Sequence, residues 1–311
     1  MLVEENYNIL KHNIFGINSK CKYFFNVYNT EDIKASLDFI SQKNLKYFVL
    51  GGGSNILFTE KTNDLAIIKP EIKHLTVNND TILVGSGIGL QYLVQESFKN
   101  NLAGLEWAAG IPGTIGGAIF GNSGSFNGEI CSIVDTIKIL DTQTKEIKIF
   151  SNKECRFNYR NSIFKENPNK YIIIEATLKL NKVNEEEIIK TKNTFKENIT
   201  KKINTQPVNE KSAGCIFKNI KFDKNNKELN KLILENNYQI KDNIIATAFL
   251  IDKIGLKGII LGGAQISDKH ANFIINKENA TSNDIINLIS KIEKEILEKL
   301  NISLEKEIEI I

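Results

Sequence analysis

Backbone N–H groups uncovered by glycine are the chemically most pointed feature of this sequence. Seven of its 20 glycines fall in one stretch, Gly110–Gly128 (GIPGTIGGAIFGNSGSFNG). Glycine has no Cβ, so its N–H can face a ligand at close range and its backbone can turn through φ > 0 without strain. The stretch interleaves glycine with Ile111, Ile115, Ala118, Ile119 and Phe120. It therefore reads as ordered, buried backbone and not as a polar, flexible linker. A second turn, Gly51-Gly52-Gly53-Ser54-Asn55, follows the apolar run Tyr47–Leu50, and its hydroxyl and amide add donors suited to an anion. The two turns together point to a phosphate-bearing cofactor. Neither is a P-loop, and Gly51–Asn55 opens no helix as a GxGxxG fingerprint would. A third turn, Gly85-Ser-Gly-Ile-Gly89, lacks the last glycine of that fingerprint and reads as a tight turn.

Other chemistries are set aside by what the chain lacks. Cys21, Cys131, Cys155 and Cys215 form no CxxC pair. His12, His74 and His270 stand in neither an HxH nor an HExxH pattern, so no metal is expected. With 40 basic and 37 acidic residues, the balance gives no reason to expect nucleic acid. The longest apolar runs fall well short of the roughly 20 residues that cross a bilayer. The start, MLVEENYNIL, has acids where a signal peptide needs a basic region. The expectation is a cytoplasmic protein without membrane insertion.

Elements must hold the two turns in place. Thr30–Ser41 reads as a helix capped by Asn29 or Thr30, with Ile33, Leu37 and Ile40 on its apolar face. Tyr47–Leu50 is a strand running into the Gly51 turn, and Ile56–Phe58 resumes extended structure. Ile82–Val84 is a strand, Leu90–Phe98 a helix, and Val134–Leu140 with Glu146–Phe150 a hairpin. Tyr171–Leu180 is a further strand and Asn184–Ile203 a charged connecting helix. Beyond Pro207, Leu229–Glu235 and Ala246–Ile254 read as helices, and Lys257–Ser267 and Asn272–Asn276 as strands. Ser282–Leu300 is the clearest amphipathic helix, with Thr281 and Asp284 spaced as a capping box. Ile308–Ile311 is a last strand.

Six segments in order carry a family resemblance: LGGGSN (Leu50–Asn55), GLEWAAGIPGTIGGAIFGNSGSFNGEI (Gly104–Ile130), ECRFNYRNSIFK (Glu154–Lys165), SAGCIFKN (Ser212–Asn219), GGAQISDKHANFIIN (Gly262–Asn276) and LEKEIEII (Leu304–Ile311). Together they resemble the UDP-N-acetylenolpyruvoylglucosamine reductases, flavoenzymes of bacterial peptidoglycan precursor synthesis. The resemblance implies an α+β protein. A two-module FAD-binding domain of the vanillyl-alcohol-oxidase (PCMH) type would occupy 1–75 and 76–205. An α/β substrate-binding domain would occupy 206–311, with 304–311 returning to the active site. The short Arg160–Cys215 interval, with no loop to donate a capping tyrosine, resembles the family's second subtype. FAD would be bound non-covalently, because Asn55 stands where related folds commonly carry a flavin-linking histidine.

The implied reaction reduces an enolpyruvyl ether of a UDP-sugar to a lactyl ether. NADPH, the co-substrate, reduces FAD, and the flavin passes a hydride to the vinyl carbon. The resemblance assigns Gly51, Gly52, Gly53, Ser54, Asn55, Gly110, Ile111, Pro112, Gly113, Gly116, Gly117, Asn122 and Gly124 to FAD. It assigns Arg160, Cys215 and Glu307 to catalysis, and Tyr159, Lys218, Asn219 and His270 to substrate. A guanidinium can clamp a carboxylate with two parallel hydrogen bonds, which suits Arg160 to an enolate. Cys215 stands where the family usually has a serine proton donor. A thiol, with an ordinary pKa of about 8.5, releases a proton more readily than a hydroxyl but is open to oxidation. Glu307 lies between Glu305 and Glu309, and strand alternation would put all three on one face. The family normally has a basic residue at the Glu309 position. A monomer is expected. The glycine turns alone would equally suit another FAD-dependent oxidoreductase of this fold, or a nucleotide-binding regulator.

Overall fold

The first helix, Thr30–Gln42, starts where the sequence places it: the Asn29 side chain accepts the Asp32 N–H at 2.8 Å. Ile33, Leu37 and Ile40 bury against Phe25, Val27, Ala66 and Ile68. Those residues come from the middle of a four-stranded sheet, ordered Leu2–Asn8, Lys20–Val27, Ala66–Pro70, Tyr47–Val49. The Leu2–Asn8 strand runs antiparallel to its neighbour and the other pairs are parallel. Nothing local signals Leu2–Asn8 as a strand, since LVEENYN is almost wholly exposed and defined by its backbone pairing. The computed structural model describes residues 1–311 and separates into two compact units. The first comprises Met1–Asn8, Lys20–Gly53 and Thr62–Lys202; the second comprises Ile9–Ser19, Ser54–Lys61 and Ile203–Ile311.

The first unit also holds a five-stranded antiparallel sheet, ordered Ile147–Ser151, Val134–Asp141, Tyr171–Lys179, Thr81–Gly85, Leu75–Asn78. The expected hairpin closes with Leu140 opposite Ile147. The helix Leu90–Lys99 buries Leu90, Leu93 and Val94 in a core shared with Trp107, Ile115, Ile119 and Phe164. The glycine block contains a helix that its sequence does not advertise, Ile115–Phe120, whose Thr114 hydroxyl caps the Gly117 N–H at 3.4 Å. Two glycines in six residues weigh against helix propensity. Burial of Ile115, Ala118 and Ile119 stabilises it instead. The Gly85–Gly89 turn is a packing turn: a Cβ on Gly85 would meet the Ile72 carbonyl oxygen at 2.2 Å, and one on Gly87 the Ile72 nitrogen at 2.8 Å.

In the second unit the amphipathic helix spans Ser282–Leu300 and buries Ile285, Leu288, Ile289, Ile292, Ile296 and Leu300. Each such side chain contributes about 1.5–3 kcal/mol of burial. Its capping box is complete, with the Thr281 hydroxyl on the Asp284 N–H and the Asp284 carboxylate on the Thr281 N–H. That backbone hydrogen bond, ahead of an opposing desolvation, holds the Asp284 carboxyl below the usual carboxylate range. The expected single strand Lys257–Ser267 is instead a hairpin, Ile260–Leu261 and Ala264–Ile266, with Leu261 opposite Ala264. Gly262, at φ +54, breaks it, and a Cβ there would meet the Asp284 carboxylate at 2.2 Å. Helices Lys227–Glu235 and Thr247–Lys253 pack on the same core. The terminal strand is only Glu309–Ile310, parallel to Ile56–Leu57.

Candidate flavin cradle and catalytic strip

In the first unit the two glycine turns meet. A Cβ on Gly52 would lie 2.5 Å from the Gly113 Cα, and one on Gly51 would lie 3.0 Å from the Thr114 Oγ1 and 3.3 Å from the Gly117 Cα. Carbon atoms in ordinary contact stay about 3.5–4.0 Å apart, so only glycine permits this approach. The contact leaves two glycine-rich backbones side by side, as a dinucleotide cofactor requires. Lys69, nearly buried, donates to the Gly51 carbonyl at 3.0 Å and pairs with Glu71 at 3.0 Å. Ser86 is 3% exposed, its hydroxyl has no hydrogen-bond partner, and its Cβ lies 3.0 Å from where a Gly116 Cβ would be. A buried, unpartnered hydroxyl beside a cradle that a Cβ would fill fits a polar ligand such as FAD. Gln91 ties the block down from outside, donating to the Ala108 and Ile111 carbonyls at 2.8 Å each.

Arg160 belongs to this wall. Asn158 and Asn161 exchange backbone hydrogen bonds around Tyr159-Arg160, and Arg160 sits at φ +52, uncommon for a residue with a side chain. Its guanidinium donates to the Gly124 carbonyl at 2.5 Å and the Asn122 carbonyl at 3.4 Å, and lies 5.1 Å from the Tyr159 ring centroid. Ser162 anchors the loop by donating to the Phe120 carbonyl at 2.7 Å. Asn122, expected at FAD, is buried and bridges protein groups: it donates to Glu129 and the Asn158 carbonyl and accepts the Cys131 N–H. Lys202, 9% exposed, places its ammonium 5.5 Å from the Phe126 ring centroid at the end of the glycine block.

The second unit builds a strip around Cys215. Gly214, at φ +85 with open space where its Cβ would be, turns the chain into Cys215–Lys218. On one side Cys215 bridges Phe273 and the Ile216 N–H reaches the Asn272 carbonyl at 2.8 Å. On the other, the Lys218 N–H donates to the Glu305 carbonyl at 2.9 Å and the Glu307 N–H to the Ile216 carbonyl at 2.8 Å. Backbone pairing thus brings the segment of Glu307 alongside that of Cys215. Lys218 also pairs with the Glu305 carboxylate at 2.5 Å. The expected one-face arrangement of Glu305, Glu307 and Glu309 has no continuous strand to enforce it, because only Glu309–Ile310 is strand. The Asn219 side chain accepts the Thr247 N–H at 3.1 Å and so caps a helix. His270 stacks edge-on to Phe273 at 4.7 Å with its Nδ1 buried and unpartnered, and burial holds its pKa below the usual histidine value.

Asn272 is the residue that the sequence reading missed here. It is 2% exposed, and its side chain accepts the Phe217 N–H at 3.0 Å while donating to the Phe217 carbonyl at 2.8 Å. Asn272→Ala would orphan both buried groups, at about 1–3 kcal/mol each. The urea midpoint is expected to fall with the slope unchanged. Lys69, Ser86 and Gln91 were missed likewise, because single polar residues between apolar neighbours carry no spacing signal. No group of three or more His, Cys, Asp and Glu side chains is placed to hold a metal ion, and no helix is long and apolar enough to cross a membrane.

Fold and cradle define a flavin-binding protein with an added C-terminal unit, and residues 21–149 match the model of the FAD binding domain. Residues 206–311 match the C-terminal domain of UDP-N-acetylenolpyruvoylglucosamine reductase. Reductases of that name from Clostridium botulinum (strain Okra / Type B1) and Bacillus pumilus (strain SAFR-032) are 32% identical over 97% of this chain and 33% identical over 99% of it. These alignments cover 90% and 94% of the relatives. The crystal structure of UDP-N-acetylenolpyruvylglucosamine reductase (MurB) from Thermus caldophilus superimposes with a TM-score of 0.76 at 28% identity, covering 100% of this chain and 99% of that one. The chain belongs to the UDP-N-acetylenolpyruvoylglucosamine reductase family.

Proposed function

We propose that this protein reduces UDP-N-acetylenolpyruvoylglucosamine to UDP-N-acetylmuramate in peptidoglycan precursor synthesis, with non-covalent FAD and NADPH as co-substrate. The observation that carries the reading is the strip in which Glu307 pairs with Ile216 beside Cys215, within a region that matches the family's C-terminal domain. Bound FAD would supply hydride-transfer chemistry, with NADPH as the source and the vinyl carbon as the acceptor. Gly51–Gly53 and Gly110–Gly124 would hold it, with Lys69 and Ser86 beside them.

The chain's own residues then manage charge and proton. Reduction of the vinyl carbon pushes electron density into the substrate carboxylate. Arg160 supplies a permanent cation for that enolate, already oriented by the Asn122 and Gly124 carbonyls. The Cys215 thiol donates the proton to the neighbouring carbon and is left as thiolate, and Glu307, as a protonated carboxyl donating a hydrogen bond, shares in stabilising the enolate. Tyr159, Lys218 and His270 are assigned to the nucleotide sugar, with Lys218 prepositioned by Glu305. Asn219 is assigned to the nucleotide sugar as well, with its side-chain oxygen accepting the Thr247 N–H. Residues 161–214 are filled by the strand Tyr171–Lys179 and the helix Glu185–Thr205, which supports the subtype without a tyrosine loop. The protein acts as a cytoplasmic monomer in this reading.

Purified protein is expected to carry the visible absorbance of oxidised flavin. It should consume NADPH only when the enolpyruvyl nucleotide sugar is added. Flavin-loaded protein that ignores this substrate would overturn the reading.

A further inference from the structure

We propose that Asn55 is a positioning residue for Glu307, and that its side chain is not a ligand of the cofactor. The inference rests on the assignment of Glu307 to the reaction. Asn55 follows the Gly51–Gly53 turn, which made it look like a phosphate donor in sequence. Its side chain instead points along the second unit. Nδ2 donates to the Glu307 carbonyl at 3.0 Å, and the Asn55 carbonyl accepts the Glu309 N–H at 3.0 Å. Two further backbone bonds, Ile311 N–H to the Leu57 carbonyl and Thr59 N–H to the Ile311 carbonyl, complete the parallel pairing.

The ladder ends where Glu307 begins. Strand geometry covers only Glu309–Ile310, two residues beyond Glu307. The Asn55 side-chain amide extends the pairing to the Glu307 carbonyl. The Glu307 N–H meanwhile goes to the Ile216 carbonyl on the opposite side. Glu307 is therefore fixed at both of its own backbone polar groups, by Asn55 and by the Cys215 strip. The same short chain that leaves the flavin turn sets the orientation of the catalytic carboxylate. An uncharged amide donor suits the position: aspartate would bring a carboxylate, which cannot donate, against the Glu307 carbonyl.

The test compares full-length Asn55→Ala and Asn55→Asp with wild type and Glu307→Gln. FAD affinity is read on apo-protein by quenching of flavin fluorescence, and folding by circular dichroism. Stopped-flow absorbance then separates flavin reduction by NADPH from flavin reoxidation by the enolpyruvyl substrate. Both Asn55 variants are expected to keep FAD affinity and the NADPH step, and to slow reoxidation about 10- to 100-fold, as loss of positioning does. Asn55→Asp keeps the side-chain shape, so it decides the matter if Asn55→Ala folds poorly. Weakened FAD binding in Asn55→Asp overturns the proposal, and so does reoxidation at the wild-type rate. A Glu307→Gln variant that turns over normally removes the Glu307 assignment itself, and the proposal with it.

Discussion

Replacing Cys215 with alanine is expected to leave NADPH-driven flavin reduction intact and to slow substrate reduction by about 10²–10⁴-fold, the range for losing a general acid. The split is the informative part. A folding defect would lower both steps, whereas loss of the proton donor touches only the second. The local structure favours a clean result. A Cβ on Gly214 would meet open space, and the backbone atoms of Ile216 and Lys218 and the Asn272 side chain make hydrogen bonds that the substitution leaves in place. Cys215→Ser keeps a donor and is expected to recover most of the rate. A second measurement uses the other cysteines. Burial pushes the Cys21 and Cys155 thiols up to about 12, and burial followed by Glu129 does the same to Cys131. Cys21 and Cys155 are also buried whereas Cys215 is half-buried, so alkylation by iodoacetamide is expected at Cys215 ahead of those two, and substrate should protect it. Alkylation that leaves substrate reduction at full rate would contradict the assignment.

Much of this molecule was legible because its signals are local. The Thr30–Gln42 and Ser282–Leu300 helices carry caps and apolar stripes within their own residues, and the Val134–Ser151 hairpin carries two apolar runs around a polar turn. What could not be read depends on distant partners. Leu2–Asn8 is a strand only because Lys20–Val27 lies beside it. Ile9–Ser19 groups with the C-terminal unit because Phe15 and Ile17 pack in its core and Asn276 donates to the Phe15 carbonyl, and Ser54–Lys61 because the last residues of the chain pair with Ile56–Leu57. The site divides in the same way. Glycine turns announce a cradle from composition alone. The supports, Lys69, Ser86, Gln91 and Asn272, are ordinary polar residues whose meaning appears only with burial and partners. Asn55 and Asn122, assigned to the cofactor by motif position, have side-chain amides that also hold backbone, donating to the Glu307 and Asn158 carbonyls.

Gly52→Ala carries the second large expectation, weakened FAD binding without loss of the C-terminal unit. The new Cβ would lie 2.5 Å from the Gly113 Cα, 3.2 Å from the Gly113 carbonyl carbon and 3.3 Å from the Thr114 nitrogen. All three are backbone atoms, so no side chain can swing away. The two turns must part by about 1 Å to restore ordinary contact. Overpacking of this kind costs about 1–3 kcal/mol, which corresponds to FAD affinity about 5- to 150-fold weaker if the strain falls on the bound state. Gly89→Ala is the matched control: it is also a turn glycine in the same unit, but its Cβ would meet nothing nearer than the Gly113 carbonyl oxygen at 4.0 Å. Fluorescence titration of both apo-variants should find Gly89→Ala close to wild type and Gly52→Ala severely weakened. Equal, wild-type affinity in both would mean that the close approach of the two turns serves packing alone, and that FAD is held by something other than the cradle they form.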